Sequence, residues 1–193
     1  MRIVGGSFKG RRIIAPSGNN TRPTTDRTRE AIFNVLAHHR NVDLEGALVL
    51  DLFAGSGALG LEALSRGGAR CVFIDEDAHA RGVIRDNIEA LGLFGCTRIQ
   101  KRSAIHLGPM PANVSGPFTL AFLDPPYGRD LAIPTLTSLQ KGGWLADGAA
   151  IVLEQAKEDA APSLDWIEWD DPRGYGDTLV YIGIVTQGTV LPA

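Results

Sequence analysis

The spacing of apolar residues divides the chain into a short basic front and a long alternating body. From Ala47 onward, compact apolar runs at Leu48–Phe53, Cys71–Ile74, Phe118–Leu123 and Ala149–Leu153 have the character of strands buried on both faces. Thr97–Lys101 reads as a further strand. Between them, Leu59–Arg66, Ala78–Leu91 and Leu131–Gln140 read as helices, the last stopped by Gly142-Gly143. Strands that alternate with helices predict an α/β fold with a mostly parallel, doubly wound sheet. The tail adds two strand-like stretches, Trp166–Trp169 and Thr178–Val185, joined by a turn containing Pro172, Gly174 and Gly176. They predict an antiparallel hairpin closing one edge. The front reads as a β-hairpin, Arg2–Val4 and Arg11–Ala15 flanking a Gly-rich turn, followed by a loop from Pro16 to Pro23. Thr25 is placed to cap a helix beginning at Asp26, with Ala31, Ile32, Val35 and Leu36 as its apolar face.

Composition narrows the class. A chain of 193 residues with 44% hydrophobic and 21% charged residues fits one ordinary globular domain, residues 1–193. No apolar run approaches the roughly 18 residues that span a bilayer, and the first residues have no signal-peptide pattern, so a cytoplasmic protein is expected. Cys71 and Cys96 match neither a disulfide framework nor a metal-site spacing; two reduced thiols and no metal are expected. Charge is uneven. Residues 1–40 carry a net +6, which leaves −9 on residues 41–193 of a chain whose total is −3. A basic front on an acidic body points to contact with a polyanion, the alternative being an arginine-rich solvated surface. Arg11, Arg12, Arg27 and Arg29 are the candidate phosphate contacts.

The chemistry concentrates after two strands, where ligands bind on such sheets. Asp51-Leu52-Phe53-Ala54-Gly55-Ser56-Gly57-Ala58-Leu59-Gly60 follows the first strand and opens a helix. Gly55, Gly57 and Gly60 have the G-x-G-x-x-G spacing, which dinucleotide enzymes also use. Asp51 discriminates: a carboxylate ahead of the loop repels a pyrophosphate and favours a ligand with an ammonium, such as the methionine part of S-adenosylmethionine. Asp75, at the end of the second strand, is placed to accept bonds from ribose hydroxyls or else to cap the next helix. Ser103, past the third strand, is placed to touch an adenine ring or to be an incidental loop residue.

Asp124-Pro125-Pro126-Tyr127 comes directly after the fourth run. Two prolines give a stiff backbone without N–H donors. An exocyclic amino group on a base is a poor nucleophile, because its lone pair is delocalised into the ring. Two acceptors on its hydrogens aim that lone pair outward, and the Asp124 carboxylate and Pro125 carbonyl are candidates for them. Tyr127 offers a flat face for an unstacked base. A Pro-rich turn with a buried tyrosine is the bland alternative.

These residues resemble the class I methyltransferases that modify amino groups, and more closely the RsmD family of 16S ribosomal RNA guanine-N2 methyltransferases. The resemblance rests on Arg2-Ile3-Val4-Gly5-Gly6, Arg22-Pro23-Thr24-Thr25-Asp26-Arg27-Thr28-Arg29-Glu30, Asp51 to Arg66, Asp124 to Tyr127 and Gly142-Gly143-Trp144-Leu145, in family order across nearly the whole chain. It implies a seven-stranded Rossmann-like sheet, with residues 1–40 as an RNA-holding extension and residues 41–193 as the catalytic core. It implies S-adenosylmethionine as cofactor, held by Asp51, the loop residues Phe53, Gly55, Ser56 and Gly57, and Asp75, with Thr24 and Thr25 near its methionine end. Asp124 and Tyr127, on the Pro125-Pro126 frame, then hold a guanine of small-subunit ribosomal RNA. The family often has glutamate where Asp75 stands and aspartate or asparagine where Ser103 stands. Adenine-N6 methylation of DNA or another RNA, and a non-catalytic RNA-binding assembly factor, stay open as alternatives. No obligate protein partner is evident, and a monomer is expected.

Overall fold

In a computed structural model of the chain, residues 1–15 and 25–186 are described. Four helices, α1 (Asp26–His38), α2 (Ala58–Ser65), α3 (Ala78–Leu91) and α4 (Ala132–Lys141), surround one sheet. Its strands are β1 (Leu48–Leu52), β2 (Arg70–Ile74), β3 (Thr97–Gln100), β4 (Phe118–Leu123), β5 (Leu145–Ala156), β6 (Ile167–Trp169), β7 (Arg173–Tyr175) and β8 (Thr178–Val185). The path through the sheet is β3-β2-β1-β4-β5-β8-β6. β1 to β5 are parallel, and β8 runs antiparallel to β5 and β6. The order reverses between β1 and β4, and this switch point is where a doubly wound sheet opens a ligand crevice. The topology is that of a Rossmann-like, doubly wound α/β fold.

Alternation along the strands builds two cores. Val49, Leu120, Phe122, Ala150 and Val152 face α1, α2 and α3, while Leu50, Leu52, Ala121, Leu123, Ile151 and Leu153 face α4 and Trp144. Side chains buried on both faces explain why these strands read as unbroken apolar runs. Helix α2 lies so deep that all eight of its residues are buried.

Three elements depart from expectation. The tail is not a simple two-strand hairpin: the stretch taken as a turn contains β7, which pairs with β8, and β6 pairs with the far half of the same strand. Strand β5 starts at Leu145, four residues early, beyond a register shift against β4 between Phe118 and Leu120 that the polar Asp147-Gly148 pair obscures. The front hairpin reduces to a single bridge, Arg2 to Arg12, with flanking bonds from Ile3 N–H to Arg11 (2.9 Å) and Ile13 N–H to Met1 (3.2 Å). Its turn is a 3-10 helix over Gly6–Phe8. Both thiols are free. Among the described residues, no helix is long and apolar enough to cross a membrane.

Candidate active site

The glycine loop is set by unusual backbone angles between β1 and α2. Phe53, Gly55 and Gly57 all have left-handed φ, at 56°, 55° and 76°. For Phe53, which carries a side chain, that conformation costs about 1–3 kcal/mol, a strain that collects at ligand sites. Two carboxylates hold the turn. Asp75 Oδ2, at the end of β2, accepts the Gly55 N–H at 2.9 Å, and Asp51 Oδ2 accepts the Gly60 N–H at 2.9 Å. A Cβ on Gly60 would fall 2.5 Å from Phe73, 2.6 Å from Cys71 Sγ and 3.0 Å from Asp51, so only glycine lets α2 sit this close. A Cβ on Gly55 would meet nothing nearer than its own loop carbonyl at 3.8 Å, which leaves that backbone open to a ligand. Ser56 is buried, its hydroxyl 3.5 Å from Met1 Sδ.

Asp51 is 2% exposed. Burial pushes its carboxyl well above the usual aspartate range; the Gly60 bond opposes this, and the charges of Asp124 and Asp75 add to it. The sequence cast Asp51 as a partner for a ligand ammonium. The structure also makes it the clamp on α2, a part that spacing alone does not reveal. Asp75 is not the cap of α3; Asp77 takes that place, accepting from His79 N–H at 3.0 Å. Asp75 Oδ1 instead accepts the Asp77 N–H at 2.9 Å, so both its oxygens are anchored at the loop's rim. Ser103 opens a 3-10 turn over Ala104–His106 without spending its hydroxyl on a cap.

The second half of the site is one strand away. In the register of β1 with β4, Leu52 lies opposite Leu123, so Asp124 emerges beside Phe53 at the switch point. Pro125 is buried and Pro126 exposed. Tyr127 is 41% exposed, and its hydroxyl lies 2.8 Å from Thr178 Oγ1 at the start of β8. The side chain is thus held at its tip while it stays partly exposed. The sequence held no signal for this tether.

The basic front divides into two kinds of residue. Arg12 and Arg27 are exposed. Arg11 is exposed too, but its guanidinium donates to the Ala90 carbonyl in the last turn of α3 at 2.6 Å. Arg29 corrects the expectation of a phosphate contact: it is fully buried. It donates to the Arg2 carbonyl and to Asp26 Oδ1 (2.9 Å) and lies 3.7 Å from Glu62 Oε2. Glu62, also fully buried, accepts from Val4 N–H and Arg66 Nε at 2.8 Å each. These charges fasten the front and α1 to α2, which a buried carboxylate on an apolar helix requires. Thr25 caps α1 through the Thr28 N–H at 3.1 Å. Thr24 and Arg22 lie outside the described residues. Among the described residues, no cluster of three or more His, Cys, Asp or Glu is disposed to hold a metal.

A mostly parallel sheet with its glycine loop, the Asp75 carboxylate at the end of β2 and the Asp-Pro-Pro-Tyr segment around one switch point has the layout of a class I methyltransferase. Residues 1–184 match the family profile described as Conserved hypothetical protein 95. The Escherichia coli (strain K12) ribosomal RNA small subunit methyltransferase D is 39% identical over 164 residues, 85% of this chain and 79% of that one. Bacillus subtilis (strain 168) YlbH is 38% identical over 162 residues, 84% of this chain and 86% of that one. The solved structure of YhhF from Escherichia coli superposes with a TM-score of 0.79 at 34% identity, covering 96% of this chain and 98% of that one. The chain belongs to the ribosomal RNA small subunit methyltransferase D (RsmD) family.

Proposed function

We propose that the chain transfers a methyl group from S-adenosylmethionine to the exocyclic N2 of a guanine in 16S ribosomal RNA, working in the cytoplasm as a monomer. The observation that carries this is the pairing of the open glycine loop after β1 with Asp124–Tyr127 after the adjacent β4. The residues present fit the cofactor. Gly55 leaves its backbone approachable, and Asp75 is fixed at the rim with lone pairs to spare for ribose hydroxyls. The charges of Asp75 and Asp124, which both reach the buried Asp51 carboxyl, favour a cationic ligand. Phe53, Ser56, Gly57 and Ser103 complete the cradle, with Thr25 toward the methionine end.

When bound, S-adenosylmethionine supplies a methyl already activated on a sulfonium, so the protein's work is positioning. Asp124 and the Pro125 carbonyl accept the two amino hydrogens and turn the nitrogen lone pair out of the ring plane. Tyr127, tethered to Thr178, stacks on the base and keeps it unstacked from the RNA. Asp124 is the group placed to take the released proton. Arg11, Arg12 and Arg27 hold phosphates.

The test supplies methyl-labelled cofactor with small ribosomal subunits from cells lacking this enzyme, naked ribosomal RNA, or duplex DNA. Label is expected in 16S ribosomal RNA. Label confined to DNA, or none in any polymer, overturns the proposal.

A further inference from the structure

The basic front and the cofactor loop meet at one buried side chain that neither site description includes. Asn87, on α3, is 1% exposed. Its Oδ1 accepts the Ile14 N–H at 2.7 Å, and its Nδ2 donates both to the Ile14 carbonyl and to the Ser56 carbonyl, at 2.9 Å each. A primary amide has one acceptor and two donor hydrogens in a plane, and all three are used here. Aspartate lacks the donors, and an aliphatic side chain lacks both functions. Ile14 follows Arg11 and Arg12 on the same arm, and Ser56 lies between the two left-handed glycines of the loop.

The other arm is gripped differently. Val4 N–H goes to Glu62 and Phe8 N–H to Ser65 Oγ, both on α2. Glu62, Ser65 and Arg29, the other buried polar side chains that bond the front, reach none of the glycine loop in these bonds, whereas Asn87 holds an arm and the loop together. Met1 Sδ, 3.5 Å from Ser56 Oγ, adds a second contact of the front to the same loop residue.

We propose that Asn87 is a positioning residue that couples RNA docking on the basic front to cofactor binding in the glycine loop, so that each ligand tightens the other. The proposal rests on the cofactor and RNA assignments made above. An arm fixed by RNA fixes Ile14, Ile14 fixes the Asn87 amide, and the amide fixes the Ser56 carbonyl and with it the Gly55–Gly57 turn. By linkage the effect is reciprocal.

The test titrates S-adenosylhomocysteine, which has no methyl to give, into the protein alone and into the protein saturated with naked 16S ribosomal RNA. For the wild type, RNA is expected to lower the S-adenosylhomocysteine Kd by about fivefold or more, the lower end of usual allosteric couplings. In Asn87→Leu the two values converge. A second variant, Ile14→Pro, removes one donor on an exposed arm residue and leaves the Asn87–Ser56 bond in place. It keeps the RNA-free Kd of the wild type and loses most of the RNA effect. Equal Kd values in the wild type overturn the proposal, as do variants that melt earlier yet keep the wild-type ratio, because those mark Asn87 as a scaffold residue only. A wild type that takes up no S-adenosylhomocysteine at all overturns the cofactor assignment itself, and the proposal with it.

Discussion

Gly60→Ala tests how the glycine loop is held, because the same substitution at Gly82 should act with the opposite sign. Both glycines are inside helices, where alanine is worth about 1 kcal/mol more than glycine. At Gly82, in α3, an added Cβ meets nothing within 4 Å. The propensity gain stands alone there, and a rise in Tm of about 2–4 °C follows for a chain of this length. At Gly60 the methyl lands 2.5 Å from Phe73 and 2.6 Å from Cys71 Sγ. Both partners are at most 1% exposed and have nowhere to go. Overpacking of this kind costs about 1–3 kcal/mol, so after the propensity gain of about 1 kcal/mol the net loss is up to about 2 kcal/mol, or up to about 8 °C in Tm. Relief requires α2 to move off the sheet, which stretches the Gly60–Asp51 bond and disturbs the loop. Thermal melts and S-adenosylmethionine titrations of the two variants should therefore part company: Gly60→Ala is less stable and binds more weakly, Gly82→Ala is more stable and binds as before. A Gly60→Ala protein melting at or above the wild type would refute the close-packing argument.

Other expectations follow from the charges. Arg29→Met should destabilise by about 3–5 kcal/mol in denaturant titrations, as breaking a buried ion pair does, while leaving the salt dependence of RNA binding unchanged. Arg12→Gln and Arg27→Gln should each reduce the slope of log affinity against log salt by about 0.7–0.9, with little change in Tm. Asp51 has its carboxyl raised by burial, so the native state holds that proton more tightly than the unfolded chain does. Wild-type stability is therefore eroded as pH climbs above the ordinary value of 3.8. Asp51→Asn removes the titration and should gain on the wild type as pH rises in melts from pH 4 to 8, at the cost of weaker cofactor binding.

Much of the fold was legible because the parallel strands are buried on both faces. An uninterrupted apolar run marks such a strand plainly, and α3, β4 and β8 begin and end where the pattern placed them. The weak points lie where polar residues carry tertiary roles. Ile32 and Leu36 lie on the inner face of α1 as the pattern placed them and Val35 packs at its edge, but Arg29 and Phe33 complete that face, because a buried arginine occupies a position that reads as surface. The signal for it was on another element: Glu62, set in an otherwise apolar α2, needed a buried cation somewhere in the chain. Strand β7 was hidden by Pro172, Gly174 and Gly176, which read as turn although Arg173, Gly174 and Tyr175 between them pair with β8. Spacing put the glycine loop, Asp75 and Asp124–Tyr127 just past the ends of β1, β2 and β4, where the structure has them. It did not show that Asp51 clamps α2, that Thr178 tethers Tyr127, or that Asn87 joins the front to the loop. Those contacts link residues about 9 to 73 positions apart, and nothing in a linear pattern brings them together.

The central claim is that Asp124 and its neighbours activate the N2 amino group of guanine. The most direct measurement digests the labelled 16S ribosomal RNA to nucleosides and identifies the one that carries the methyl, for the wild type and for Asp124→Ala. The account predicts N2-methylguanosine from the wild type. From Asp124→Ala it predicts a loss of about 100-fold or more in transfer rate, the scale of removing one charge-aligned hydrogen-bond partner, with S-adenosylmethionine binding retained. N6-methyladenosine from the wild type, or an Asp124→Ala protein that transfers at the wild-type rate, would contradict it.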